Sequence, residues 1–184
     1  MGMVHYRVLK VPQSYQIIRL QLHWRKMPYV LDKLRDDHYD IRKAHIKHDS
    51  AVLYVKDGVG DVHHKLHDII ADGYHDSYQK NGAGTTGGRI ILPHDAEVNL
   101  YNLPNARKTT LEFSCVDRIG LLGDILELLA VFPFELQNSY ISTVGPFAHN
   151  LFFLQACKKS LKEEDLEYIR NVFEYEVKRG VSNV

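Results

Sequence analysis

The chain has 184 residues, of which 45% are hydrophobic, so its length suits one ordinary domain or two small ones with cores of their own. Lys plus Arg and Asp plus Glu are equal at 23 each. A chain without an excess of cations has no general attraction for nucleic acid or anionic lipid, so neither nucleic acid nor a membrane is an expected partner.

The N-terminus lacks the apolar core of a signal peptide, and no apolar run in the sequence is long enough to cross a bilayer. The sequence therefore predicts a cytoplasmic protein, or one of an organelle matrix if a transit peptide has been removed. Its two cysteines, Cys115 and Cys157, are too few for a disulfide framework or a thiolate metal site. Both are expected to be reduced thiols.

The first half of the chain alternates between strand and helix patterns. Residues 15–24 alternate apolar and polar side chains, which is the period of a half-buried strand. Residues 27–34 carry apolar side chains at helical spacing, with a proline in the first turn. Residues 41–56 are typical of a hairpin with its turn near Asp49, and residues 59–71 of a second helix. The predicted order is strand, helix, strand, strand, helix.

A glycine-rich segment separates the two halves. Residues 80–88, KNGAGTTGG, contain four glycines and no apolar side chain larger than alanine, which predicts a flexible linker. The segment lacks the Gly-Lys-Ser/Thr ending of a phosphate-binding loop. After the short apolar stretches RIILP and AEVNLYNLP, the same order of elements returns from residue 109 onward. Ser160 and Glu163 predict a capping box at the start of the last helix.

The repeated order predicts an α+β chain that duplicates a unit of about ninety residues. Short connections suit a split βαβ arrangement, in which an antiparallel sheet carries two helices on one face. We predict an N-terminal module at 1–79, a linker with a possible edge strand at 80–104, and a C-terminal module at 105–184. Each module is short of a fourth strand, and RIILP or AEVNLYN is available to protect an open sheet edge.

Three separated pieces of the second half carry a motif. They read D-R-I-G-L-L at residues 117–122, I-S-T-V-G at residues 141–145 and N-L-F-F at residues 150–153. In this order and spacing they resemble the ACT domain, and the phenylalanine-rich third strand looks most like the ACT repeats of plant ACT-repeat proteins and of bacterial uridylyltransferase. The resemblance implies two ferredoxin-like βαββαβ modules, the first of them degenerate, with their sheets side by side and effectors at the seam.

The resemblance also implies a ligand site formed by six consecutive residues, Asp117, Arg118, Ile119, Gly120, Leu121 and Leu122. Glycine lets amides at the helix start face a ligand carboxylate, and the aspartate can pair with an amino group. A structural role is the alternative, with glycine easing helix packing and aspartate capping the helix. The family often has proline where this chain has Ile119. In the first module Lys26 and Tyr29 replace the aspartate and the glycine, which predicts no amino-acid binding of the family kind there.

Candidate metal and catalytic residues give weaker patterns. His63 and His67 share a helix face at a spacing that can hold a metal, but no carboxylate or cysteine completes the site, so solvated histidines are expected. No nucleophile stands at recognisable spacing from a base and an orienting group. The sequence therefore predicts no catalytic residue, no metal and no cofactor.

These observations favour a non-catalytic regulatory protein. It would bind a small amino acid at an ACT interface and modulate a partner in amino-acid or nitrogen metabolism. The alternative is a ligand-free ACT-type scaffold for oligomerisation or protein interaction, and an enzyme is the third interpretation. The expected protein partner is a second copy of the chain or a partner enzyme.

Overall fold

A computed structural model describes residues 5–11, 15–56, 61–71, 92–104 and 106–181. The predicted glycine linker at 80–88 and residues 89–91 of RIILP lie outside the described residues. Among the described segments, no helix has the length and apolar composition needed to cross a bilayer.

Within the described residues, each module contributes four strands and two α-helices. The first contains β1 (His5–Val11), β2 (Tyr15–Gln21), a short 3-10 helix (Trp24–Lys26), α1 (Met27–Asp36), β3 (Asp40–Lys47), β4 (Ser50–Lys56) and α2 (Val62–Ala71). The second contains β5 (Glu97–Asn102), β6 (Thr109–Val116), α3 (Leu121–Ala130), β7 (Glu135–Val144), β8 (Phe147–Gln155) and α4 (Glu163–Val181).

The eight strands form one antiparallel sheet in the order β1-β2-β4-β3-β7-β8-β6-β5. Strands β3 and β7 meet at its centre, with Ala44 opposite Ile141 and Ile46 opposite Ser139. Buried and more exposed side chains alternate along β2 and β8, which is the pattern of a sheet covered on one face. Helices α1 and α3 pack against each other above the seam between the modules. The two modules are therefore paired within one chain.

The predicted fold of two ferredoxin-like modules, with antiparallel sheets and helices on one face, is confirmed. One connection differs from βαββαβ, because the edge strands β1 and β5 precede the strands that they flank. Each module thus has the order ββαββα. An antiparallel edge position accepts a strand from either end of a module, provided that the link is short. Residues 97–102 of the AEVNLYN segment form β5, whereas β1 was not predicted, because its sequence HYRVLKV alternates poorly.

The loop between β2 and α1 differs from the prediction. β2 ends at Gln21, and Trp24 turns away from the strand into the 3-10 helix. Leu22 N donates to the hairpin carbonyl of Asp49, as Asp117 N donates to that of Pro146. When the two loops are aligned from the ends of their strands, Leu22 takes the place of Asp117. When they are aligned from the first residues of their helices, Lys26 takes the place of Gly120. The predicted replacement of glycine by Tyr29 is wrong because this loop is one residue longer.

A buried polar cluster fixes β5 to the segment before α4. Thr109 Oγ1 donates to Asn102 Oδ1 at 2.7 Å and accepts from Leu161 N at 2.8 Å. Asn102 Nδ2 donates to Leu161 O at 2.9 Å. These bonds hold Leu161 outside the helix, so α4 begins at Glu163. The capping box predicted from Ser160 is therefore wrong, and Asp165 Oδ2 accepts from Lys162 N at 3.2 Å instead.

Replacing Thr109 by valine should lower the free energy of unfolding by about 1–3 kcal/mol, because the buried amide of Leu161 loses its acceptor. Urea denaturation followed by circular dichroism measures the change. The control is Thr110→Val, since this neighbouring buried threonine lies outside the cluster. Equal losses in the two variants would contradict the role of the cluster.

Candidate functional site

The turn between β6 and α3 requires a glycine. Gly120 precedes the first residue of α3 and has a φ of +87°, in the left-handed region that other residues rarely adopt. A Cβ at this position would overlap Cδ of Arg35, which reaches over the turn from α1 of the first module. The glycine is therefore needed both for its backbone conformation and for a close contact between the modules.

A cleft beside this turn brings the three motif pieces together. All six residues predicted for the ligand site line it, with Ile141 and Thr143 from β7 and Ala148 and Asn150 from β8. The first module supplies the opposite wall from α1, β3 and the turn between them, with Leu31, Arg35, Tyr39, Asp40 and Ile41. The cleft therefore lies at the seam between the modules.

The six predicted residues have different environments. Leu121 and Leu122 are buried in the core, so they stabilise the packing of α3. Ile119 is 42% exposed at the mouth of the turn. Arg118 donates to Asp124 Oδ2, and its Nη1 donates to the carbonyl of Ile119 at 3.2 Å.

Asp117 joins the turn to both modules. Its Oδ2 accepts from Thr143 Oγ1 at 2.9 Å and lies 3.6 Å from Nη1 of Arg42 on β3. The side chain is only 14% exposed. The N-cap position of α3 is occupied by Gly120, and no side chain makes a capping hydrogen bond there. Asp117 therefore does not cap the helix, which was the alternative considered from the sequence. The carboxylate instead sets the charge at this end of the cleft.

Arg35 fills the part of the cleft above Gly120. It pairs with Asp32 on its own helix, and its Nη1 lies 3.7 Å from Asp124 Oδ1. Arg118 contacts the other oxygen of Asp124, so two guanidinium groups bracket one buried carboxylate. Burial nevertheless raises the pKa of Asp124, with the hydrogen bond from Arg118 acting in the opposite direction. Since Arg35 is about one-third exposed, its side chain has room to move outward.

Two other groups near the cleft have shifted pKa values. Burial, together with the carboxylates of Asp124 and Asp32, raises the pKa of Glu127 to about 7. Burial, with Asp95 and Asp117 nearby, raises the pKa of the Cys115 thiol to about 12. Cys115 therefore stays a neutral thiol at physiological pH and is a poor nucleophile.

The sequence missed the half of the cleft that the first module supplies. Arg35, Tyr39 and Arg42 belong to no motif, and only the pairing of β3 with β7 brings them to the turn. Thr143 and Asn150 belong to the motif pieces at residues 141–145 and 150–153, so the sequence motif could have identified them as cleft residues. His63 and His67, considered as metal ligands, are exposed on α2.

The loop between β2 and α1 makes the matching contact on the other side of the seam. Arg25 donates to the carbonyls of Ala130 at 2.6 Å, Phe132 at 3.1 Å and Phe134 at 2.6 Å. These carbonyls lie at and just beyond the end of α3, where backbone acceptors lack helical partners. A cation is also favourable there because the helix dipole is negative at this end.

A double-mutant cycle tests the contact between Gly120 and Arg35. Gly120→Ala should lower the free energy of unfolding by about 1–2 kcal/mol for the left-handed backbone, and by more because Arg35 is displaced. In the Arg35→Ala background the second contribution disappears, so the loss should shrink by at least about 0.5 kcal/mol. Urea denaturation of the four proteins measures this coupling. Equal losses in both backgrounds would show that the side chain does not press on the turn.

Glu127 should make stability depend on pH. Its folded pKa of about 7 lies above the ordinary value of 4.5, so the folded carboxyl keeps its proton where the unfolded one has lost it. Stability from this group is therefore lost as the pH rises from about 4.5 to about 7. Glu127→Gln should stabilise the protein more at pH 8 than at pH 5, by on the order of 1 kcal/mol. Denaturation at both pH values measures this, with the exposed change Glu167→Gln as control. An unchanged pH profile would refute it.

No family model and no curated protein matches the sequence. Among solved structures, the fold is similar to that of aspartate kinase from Synechocystis, with a TM-score of 0.51 and 12% sequence identity. The similarity covers 92% of this chain and 27% of the kinase, so the chain spans about a quarter of that protein's length. Aspartate kinase contains ACT domains. At this identity the likeness concerns the fold alone, and the fold of the chain is ACT-like.

Proposed function

We propose that the chain is a non-catalytic regulatory protein of the tandem ACT-repeat type. It binds a small free amino acid in the cleft between the Asp117–Leu122 turn and the first module, and it thereby modulates a partner in amino-acid or nitrogen metabolism. The observation that supports this most is the convergence of three separated motif pieces on one cleft at the seam.

The cleft offers partners for both charged groups of an amino acid. Asp117 uses Oδ2 for Thr143 and Arg42, and we assign its Oδ1 to the ammonium group. The first amides of a helix have no intrahelical acceptor. Leu121 N already donates to Arg118 O at 3.2 Å, so we assign the next two amides of α3, those of Leu122 and Gly123, to the carboxylate. Arg35 adds a guanidinium group on the same side. The groups that we assign to the ammonium and to the carboxylate thus lie on the same short segment, residues 117–123.

Ligand binding in this cleft requires Arg35 to move away from Gly120. The side chain belongs to the first module and the turn to the second, so the ligand would favour a state in which this contact is broken. Regulation needs such a difference in affinity between two states. We propose that displacement of Arg35, and with it a shift at the end of α1, carries the signal to the partner.

The ligand-free scaffold remains the second candidate because of an apolar surface beside the cleft. Val116, Val144 and Phe147 are 45%, 67% and 51% exposed at one end of the β6-β8-β7 strands. Exposed apolar side chains in contact with one another are typical of surfaces that bind another protein. A scaffold predicts self-association that depends on this surface and ignores free amino acids.

Isothermal titration of the full chain with each of the twenty amino acids tests the proposal. One amino acid, or a small chemical group of them, should bind, and Asp117→Asn should weaken that binding at least about tenfold, since a charged hydrogen bond contributes about 1.5–3 kcal/mol. The control is Asp68→Asn, a change at an exposed aspartate on α2. Binding that survives Asp117→Asn unchanged would place the ligand elsewhere.

The absence of heat with any amino acid at millimolar concentration would remove the sensor function. Sedimentation of the wild type and of Phe147→Ser then tests the scaffold. A dimer that dissociates in this variant supports the scaffold, and identical sedimentation of the two proteins contradicts it.

A further inference from the structure

A second group of polar side chains lies at the seam, on the side where Arg25 contacts α3. His23, from the loop between β2 and α1, lies beside His48 and Asp49 in the β3–β4 turn, and each residue offers an atom within 4.8 Å of the others. Glu135, the first residue of β7, reaches them from the second module. Its Oε2 is 3.4 Å from His48 Nε2 and 3.8 Å from His23 Nε2.

We propose that His23, His48 and Glu135 bind a divalent transition-metal ion of the zinc class, and that Asp49 orients His48. Two imidazoles and one carboxylate form a common ligand set for such ions and leave a position for water. Ligand atoms at about 2.0–2.1 Å from a tetrahedral ion lie about 3.3 Å apart. The distances from Glu135 Oε2 to the two imidazoles are already close to this value.

The surrounding bonds hold the ligands in this arrangement. Asp49 Oδ1 lies 2.8 Å from His48 Nδ1, so it can accept the Nδ1 proton and leave the lone pair of Nε2 toward Glu135. The buried indole of Trp24 donates to Glu135 Oε2 at 3.0 Å. Trp24 N also donates to the carbonyl of His48 at 2.9 Å, which ties the loop to the hairpin turn. These bonds therefore hold His48 and Glu135 directly, and they hold His23 through its neighbour Trp24.

Two features oppose the ion. His23 Nδ1 accepts from Arg25 N at 3.3 Å, which places the proton of the neutral ring on Nε2. A metal at Nε2 requires this proton to move to Nδ1, so binding costs the long bond from Arg25 N. The guanidinium of Arg25 lies 3.8 Å from Glu135 Oε1, but three carbonyls already bind it. Because it faces Oε1, Oε2 remains the oxygen directed at the imidazoles.

The consequence is a link between modules, since two ligands come from the first module and one from the second. The site is separate from the Asp117 turn, so it does not depend on the amino-acid binding proposed above. It also differs from the histidines of α2, whose spacing was the metal pattern visible in the sequence.

Metal binding to the full, untagged chain tests this inference. After removal of metal by a chelator, titration with Co²⁺ followed by its visible absorption should show one saturable equivalent, which Zn²⁺ displaces. His48→Gln and Glu135→Gln should each lower the affinity for Co²⁺ at least about tenfold, and Asp49→Asn by about 10- to 100-fold. The control is the double variant His63→Gln, His67→Gln, which should bind as the wild type does.

Folding is checked by circular dichroism, because Glu135 contacts the buried Trp24. His48 is 42% exposed, so His48→Gln carries the test even if Glu135→Gln fails to fold. Zn²⁺ should also raise the Tm of the wild type and not that of His48→Gln. No saturable Co²⁺ binding by the wild type would overturn the proposal. So would binding that survives His48→Gln but is lost in the α2 double variant.

Discussion

The antiparallel pairing of β3 with β7 is the contact on which the rest of the molecule depends. It joins two four-stranded sheets into one and sets α1 beside α3 on the covered face. Because each loop that leads into these helices then faces the other module, both ends of the seam become composite sites. Without this register, neither Asp117 nor Glu135 would have its present neighbours from the first module.

Different polar side chains occupy the two ends of the seam between the modules. At one end, Arg25 of the first module binds three carbonyls of the second, and a carboxylate and two imidazoles gather beside it. At the other, Arg35 lies against a glycine backbone and shares a carboxylate with Arg118. The first module lacks the motif residues of the second but supplies the surfaces that the second module contacts. Its sequence is therefore consistent with a role as a structural partner.

Much of the fold was predictable from local patterns, and the cleft only in part. The D-R-I-G-L-L turn and the alternation of β6 and β8 are visible in the sequence because each depends on neighbouring residues. β1 was missed because an edge strand packs on few side chains and so needs little periodicity. Arg35 and Arg42 were missed because their proximity to the turn arises from a pairing between segments about a hundred residues apart, which no local spacing encodes.

The three carbonyls bound by Arg25 have a consequence for how the protein unfolds. They lie where α3 ends and the chain turns into β7, so the exit of this helix is capped by a side chain from outside its own module. The second module is thus incomplete by itself: removed from its neighbour, it would expose unpaired acceptors at the end of α3. The two halves should lose their structure in a single cooperative event, as one thermodynamic unit.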